Sequence, residues 1–168
     1  MTAAEQANAI SRPFLSADRV RWADVDLVGI MRFSAFTRLI ENAEQDMCRD
    51  AGLGYQKMMQ NPTVWMPRRN LSIAYTAPAR IDDVLQLVTY VSRMGESSIV
   101  FNVDVMTADF GQLYAAAEVV TVCVDARTFA KVALSAETRL AMAPYTMSTE
   151  AARASVRANV TVREPGVS

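Results

Sequence analysis

The stretch VRWADVDLVGIMRF, residues 20–33, places one carboxylate where it could do chemistry. Asp26 stands three residues before Gly29 and just ahead of an amphipathic run. On spacing alone, two readings are open. Asp and Gly at the first and fourth positions suit a type I β-turn, in which the Asp side chain accepts from its own backbone two residues on. Beside a helix N-terminus, the same carboxylate could serve as a general base or a nucleophile. A helix start offers amides without intrahelical partners and about half a positive charge, which would stabilise a developing oxyanion.

Composition narrows the chemistry further. The 168 residues include no histidine. That removes Ser-His-Asp and Cys-His mechanisms, and the zinc sites that need imidazole. Cys48 and Cys123 are too few for a four-thiolate site; set in apolar surroundings, they read as buried free thiols. No metal site is expected. Catalysis would rest on carboxylates, hydroxyls, Lys, Tyr or backbone dipoles. The 17 basic and 18 acidic residues leave no excess positive charge for nucleic acid. No apolar run is long enough for an integral membrane segment. The first residues lack the basic-then-apolar pattern of a secretory signal, so a cytoplasmic location is expected.

The elements that must position Asp26 follow from periodicity. Phe14 to Ala23 reads as a first strand, and DLVG as a turn. Phe33, Phe36, Leu39, Ile40, Ala43 and Met47 then recur at three- and four-residue steps. That is an amphipathic helix of about four to five turns, with Ser34 as a plausible N-cap and Gly52 and Gly54 at its end. A short helical piece is expected at YQKMMQ. After Pro62 the period changes to two. VWMPRRNLSIAY is strand-like, with Pro67 marking an irregular or edge position. DDVLQLVTYVSRM, SSIVFNVDVMTAD and GQLYAAAEVVTVCVDA follow as strands, the last read as the longest. Short connections force antiparallel pairing, and one long helix on such a sheet is an α+β fold. The expected organisation is a flexible N-terminus over 1–12, one domain over 13–145, and a C-terminal helix or tail over 146–168. That tail is expected to be partly loose, and solvated beyond about Arg157.

Four stretches carry a family likeness: DVDLVGIM leading without a gap into a helix with Glu41, YTAPARIDDVLQL, SRMGESSIVF, and AEVVTVCVDARTFAK. In their order and spacing the chain resembles the hot-dog fold acyl-CoA thioesterases of the 4-hydroxybenzoyl-CoA thioesterase type, nearest to their short bacterial acyl-CoA branch. The resemblance implies a long central helix wrapped by an antiparallel five-stranded sheet. It implies a homodimer or homotetramer, with sheets joined edge to edge and active sites at the dimer interface. The implied substrate is an acyl-CoA or acyl carrier protein thioester, cleaved to free acid with no cofactor beyond the coenzyme A of the substrate itself. A non-catalytic acyl-binding module on the same fold is the alternative. A hot-dog dehydratase would need a histidine.

Residue by residue, the resemblance puts Asp26 at the position of the catalytic carboxylate. It makes the backbone N–H seven residues on, that of Phe33, the oxyanion donor. Many members of the nearest branch carry histidine there, but a backbone donor does not depend on its side chain. Glu41 matches a branch glutamate that could orient the site or polarise water; otherwise it is a helix-surface carboxylate paired with Arg38 or Gln45. Trp22 is either a wall of the acyl pocket or a core strand aromatic. Gly29 either lets the backbone pass close to the thioester or simply completes the turn. Arg93, Gly95 and Ser98 lie near where relatives contact CoA, with Arg68, Arg69 and Arg80 as further basic candidates. Met58, Met59, Met66 and Trp65 could line an acyl channel.

Overall fold

The computed structural model describes residues 11–54, 56, 59 and 62–161, with the side chains of 159–161 left aside. Strand β1 (Phe14–Arg19) leads through a 3₁₀ turn (Trp22–Asp24) into helix α1 (Phe33–Asp50). Then come β2 (Val64–Trp65), β3 (Arg68–Tyr75), β4 (Val84–Met94), β5 (Ser98–Thr107), β6 (Leu113–Val122) and β7 (Val124–Asp125). Helices α2 (Ala136–Met142) and α3 (Thr149–Thr161) close the chain. The main sheet has five strands in the order β1-β4-β5-β6-β3, and every neighbouring pair is antiparallel. Strands β2 and β7 make a separate two-stranded pair.

Alternation along the strands sorts residues between two layers. Leu85, Leu87, Phe101, Val103, Val105, Ala115 and Val119 face α1, where they meet Phe36, Leu39, Ile40, Ala43 and Met47. The opposite face presents Val88, Tyr90 and Met106, which α3 covers with Ala152 and Val156. Both faces of β5 are therefore buried, and its interior buries Asn102 and Asp104 along with its apolar residues. Cys48 and Cys123 are buried and unpaired. Burial pushes the Cys48 thiol up to about 12 and raises that of Cys123, so neither is a nucleophile at neutral pH.

Four expectations need correction. The first strand stops at Arg19 instead of running to Ala23, because the chain tightens into the 3₁₀ turn. Strands β3 and β4, joined by a short link, do not pair: β3 pairs with β6 at the sheet edge, and with the break between β2 and β3 this is the irregular, edge position that Pro67 marked. The longest strand is β4; the segment GQLYAAAEVVTVCVDA is interrupted at Cys123 into β6 and β7. Helix α1 takes Arg32, not Ser34, as its N-cap. The Arg32 N–H donates to the Asp24 carbonyl at 2.9 Å, so backbone pairing fixes the helix entry without a hydroxyl cap. YQKMMQ lies largely outside the described residues. At the other end of α1, Gly52 takes φ +76°, where glycine is at ease.

Candidate active site

Between the 3₁₀ turn and α1 the chain folds back on itself. Val25 bridges Met31, Ile30 bridges Arg80, and the Met31 N–H donates to the Ala79 carbonyl at 2.8 Å. Asp26 sits at the tip of this small hairpin. Its Oδ1 accepts from the Val28 N–H at 2.9 Å and from the Ile30 N–H at 3.3 Å. Its carbonyl accepts from the Gly29 N–H at 3.1 Å. The turn geometry is therefore present, and Gly29 at φ +77° completes it. A Cβ there would meet nothing within 4 Å, so conformation rather than space calls for glycine. Asp26 is exposed, and its Oδ2 has no partner among the described residues.

At the other end of the hairpin, Phe33 is the first residue of α1. Its N–H has no hydrogen-bond partner among the described residues, as a first-turn amide without a cap should not. The Phe33 side chain is 74 % exposed and Trp22 is 83 % exposed, with Leu27 and Val28 also open between them. Trp22 thus lies in the 3₁₀ turn on the surface and is not a core strand aromatic.

A second carboxylate, Asp24, does the structural work beside Asp26. It is buried, accepts from the Arg21 N–H at 2.9 Å, and pairs with the Arg38 guanidinium at 2.8 Å. Arg38 also reaches Asp18 at 3.5 Å, so Arg38 is committed to this corner and not to Glu41. The Arg32 guanidinium donates to the Ala23 carbonyl. These contacts tie β1, the turn and α1 into one unit and hold the hairpin in place.

Glu41 is exposed on α1. It rims a groove of about 210 Å³ lined by Thr37 and Ile40 of α1, Leu71 of β3 and Val119 of β6, with Glu44 and Arg68 at its far end. The buried glutamate is Glu44, whose side chain is 5 % exposed and pairs with Arg68 at 2.9 Å. Sequence reading missed it and offered Arg68 only as a further basic candidate for CoA. The signal was there: Glu44 follows Ile40 by four and precedes Met47 by three, on the apolar stripe. Desolvation raises the Glu44 carboxyl above its ordinary value, Arg68 opposes this, and Glu41 adds to it.

The sign of the linkage follows. A carboxyl with a raised folded pKa holds its proton in the native state where the unfolded chain has lost it. Stability from this group is present at acid pH and declines as pH rises from about 4.5 through the folded pKa. Arg68→Ala removes the opposing charge while Glu41 remains. The melting temperature of that variant should fall further below wild type as pH goes from acid to neutral. A gap that narrows instead would mean Glu44 is not held by Arg68.

The CoA candidates fall elsewhere. Arg93, Gly95 and Ser98 form the β4–β5 hairpin, in which the Gly95 N–H donates to the Ser98 carbonyl at 2.8 Å. Arg139 of α2 donates to the carbonyls of Gly95 and Glu96 at 2.8 and 2.9 Å. Asp26 lies at the other end of β4, beyond Arg80. Ten strand steps of roughly 3.3 Å, about 30 Å in all, separate the two ends. Within one chain the structure does not bring these residues to Asp26. Arg80, which bridges Ile30 and is exposed, is a basic residue that it does bring near. Of the Met and Trp channel residues, Met59 is exposed, Trp65 and Met66 are half-buried at β2, and Met58 lies outside the described residues. No cluster suited to a metal ion occurs among the described residues.

A long helix laid on an antiparallel five-stranded sheet is the hot-dog architecture. The sequence profile of the thioesterase-like superfamily matches residues 20–152, and the chain belongs to that family. Among its relatives is the acyl-CoA thioester hydrolase YbgC of Escherichia coli O6:H1, 32% identical over 107 residues, which are 64% of this chain and 78% of the relative. The acyl-CoA thioesterase YbgC of Haemophilus influenzae is 25% identical over 123 residues, 73% of this chain and 89% of the relative. In fold, the chain is similar to the 1,4-dihydroxy-2-naphthoyl-CoA thioesterase Slr0204 of Synechocystis. There the TM-score is 0.73 at 22% identity, over 78% of this chain and 96% of that one.

Proposed function

We propose that this chain hydrolyses acyl-CoA thioesters to free acid and CoA. The observation that carries the reading is the pairing of groups on one hairpin: a carboxylate with a free oxygen at Asp26 and an unpartnered helix-start amide at Phe33. The carbonyl oxygen of the thioester would accept from the Phe33 N–H, where the helix dipole favours negative charge. Asp26 Oδ2 would take a proton from water as the water adds to the carbonyl carbon, or would itself add to that carbon. In either route the C–S bond breaks, and the thiolate leaves with the electron pair and is then protonated; in the second route water then cleaves the Asp26–acyl anhydride, releasing the free acid and restoring the carboxylate. Glu41, eight residues or about 12 Å along the helix from Phe33, rims the groove and would not reach that water within one chain. Trp22 would wall the acyl entrance, and Gly29 sets the turn that presents Asp26. The chemistry calls on no metal and no cofactor beyond the CoA of the substrate, and we place it in the cytoplasm, where acyl-CoA is made. Family membership and the two acyl-CoA hydrolase relatives support this reading.

The working unit is a homodimer joined along β3. That edge strand is eight residues long, mostly exposed, and unpaired on its outer side among the described residues; Leu71 and Tyr75 stand open on it. A two-fold axis at that edge reverses the partner's strand direction. It brings the partner's Arg-bearing β4–β5 turn to the end of the joined sheet where Asp26 lies, which is how Arg93, Gly95 and Ser98 would meet CoA. Light scattering should give twice 18.5 kDa, and the protein should release CoA from a panel of acyl-CoAs. Tight binding without release would make it the non-catalytic module, and a monomer with full turnover would remove the edge-joined site.

A further inference from the structure

Phe33, Thr37, Ile40 and Glu44 are spaced by four, three and four residues, so they form one stripe on α1. The groove runs down this stripe from Thr37, and Glu44 is its lining residue furthest from the helix start. From Phe33 to Glu44 is eleven residues, about 16 Å along the helix. The groove is apolar along Ile40, Leu71 and Val119. It ends at a carboxylate 5 % exposed, held by a guanidinium at 2.9 Å.

We propose that the Glu44–Arg68 ion pair is the stop of the acyl groove and sets the longest acyl chain that is cleaved efficiently. The inference rests on the thioesterase reading. An acyl group with its carbonyl at the Phe33 N–H lies down the stripe. Each methylene buried against Ile40, Leu71 and Val119 strengthens binding about fourfold. Past that level an apolar chain end must cover two charges, removing water and offering no hydrogen bond in return. The gain therefore stops at the pair.

The test is kcat/KM across saturated acyl-CoAs from acetyl to palmitoyl. Wild type should rise with chain length, then level or fall at one break. The double variant Glu44→Leu with Arg68→Leu removes the stop without leaving a lone buried charge, and should continue to gain about fourfold per methylene beyond that break. Thr37→Phe, at an exposed position nearer the helix start, should move the break to shorter chains; it decides the matter if the double variant does not fold. A folded double variant with the wild-type break, or a wild type without a break, overturns the inference and leaves the thioesterase reading standing. Absence of CoA release from every member of the panel overturns both.

Discussion

Replacing Asp26 with asparagine is expected to lower kcat/KM for acyl-CoA hydrolysis by about 10²–10⁴, the usual contribution of a positioned acid–base group. The substitution separates two roles that share one side chain. The amide oxygen of asparagine can still accept from the Val28 and Ile30 N–H groups, now held at 2.9 and 3.3 Å by Oδ1. The turn therefore survives, and the melting temperature should match wild type. What is lost is the basic oxygen, Oδ2, which is free to face substrate. Asp26→Ala removes both roles, and should add a stability loss of about 1 kcal/mol for the vacated turn amides. Steady-state release of free thiol, with thermal melts on the same preparations, reads the two effects apart. Turnover that survives the asparagine substitution would take Asp26 out of the mechanism.

The architecture was legible because it rests on periodicity. The change from steps of three and four to steps of two marked α1 and the strands, and short links gave the antiparallel β4–β5 and β5–β6 pairs but not the pairing of β3 with β6. The hairpin that carries Asp26 was legible as a turn from Asp26 and Gly29 alone. Which charges go inside was not. Asp24 and Asp26 are separated by one residue, yet Asp24 is buried against Arg38 while Asp26 is exposed. Glu41 and Glu44 differ by a single helical turn, yet Glu44 is buried against Arg68 while Glu41 is exposed. These outcomes depend on where a guanidinium from a distant segment arrives, and local pattern does not contain that. The same holds for Asp104 of β5, which is buried because α3, from a distant segment, covers its strand face with Arg153.

That cover is fastened by a charge pair, and cutting it should have the largest effect on stability. Arg153→Ala is expected to destabilise the fold by about 3–5 kcal/mol, the cost of leaving one partner of a buried pair alone. The Asp104 side chain is 2 % exposed, and Arg153 of α3 is 33 % exposed. Arg153 Nε donates to Oδ2 at 2.6 Å and a terminal nitrogen donates to Oδ1 at 2.9 Å, so one guanidinium satisfies both carboxylate oxygens. Around them lie Val88, Tyr90, Met106, Ala152 and Val156, with the Tyr90 hydroxyl donating to Thr149 Oγ1 at 3.0 Å. Without Arg153 the carboxylate must either stay dry and unpaired or lift α3 to reach water, and lifting exposes the apolar face. Urea unfolding of the single variant measures the cost. The double variant Asp104→Val with Arg153→Leu should recover most of it, since a packed apolar pair often replaces a buried ion pair without loss. A single-variant loss below about 1 kcal/mol, typical of a solvated surface pair, would show that water already reaches Asp104. Because α3 lies on the sheet face opposite α1, the double variant should keep its rate of CoA release, whereas a fall in that rate would mean the two layers are coupled through β4 and β5.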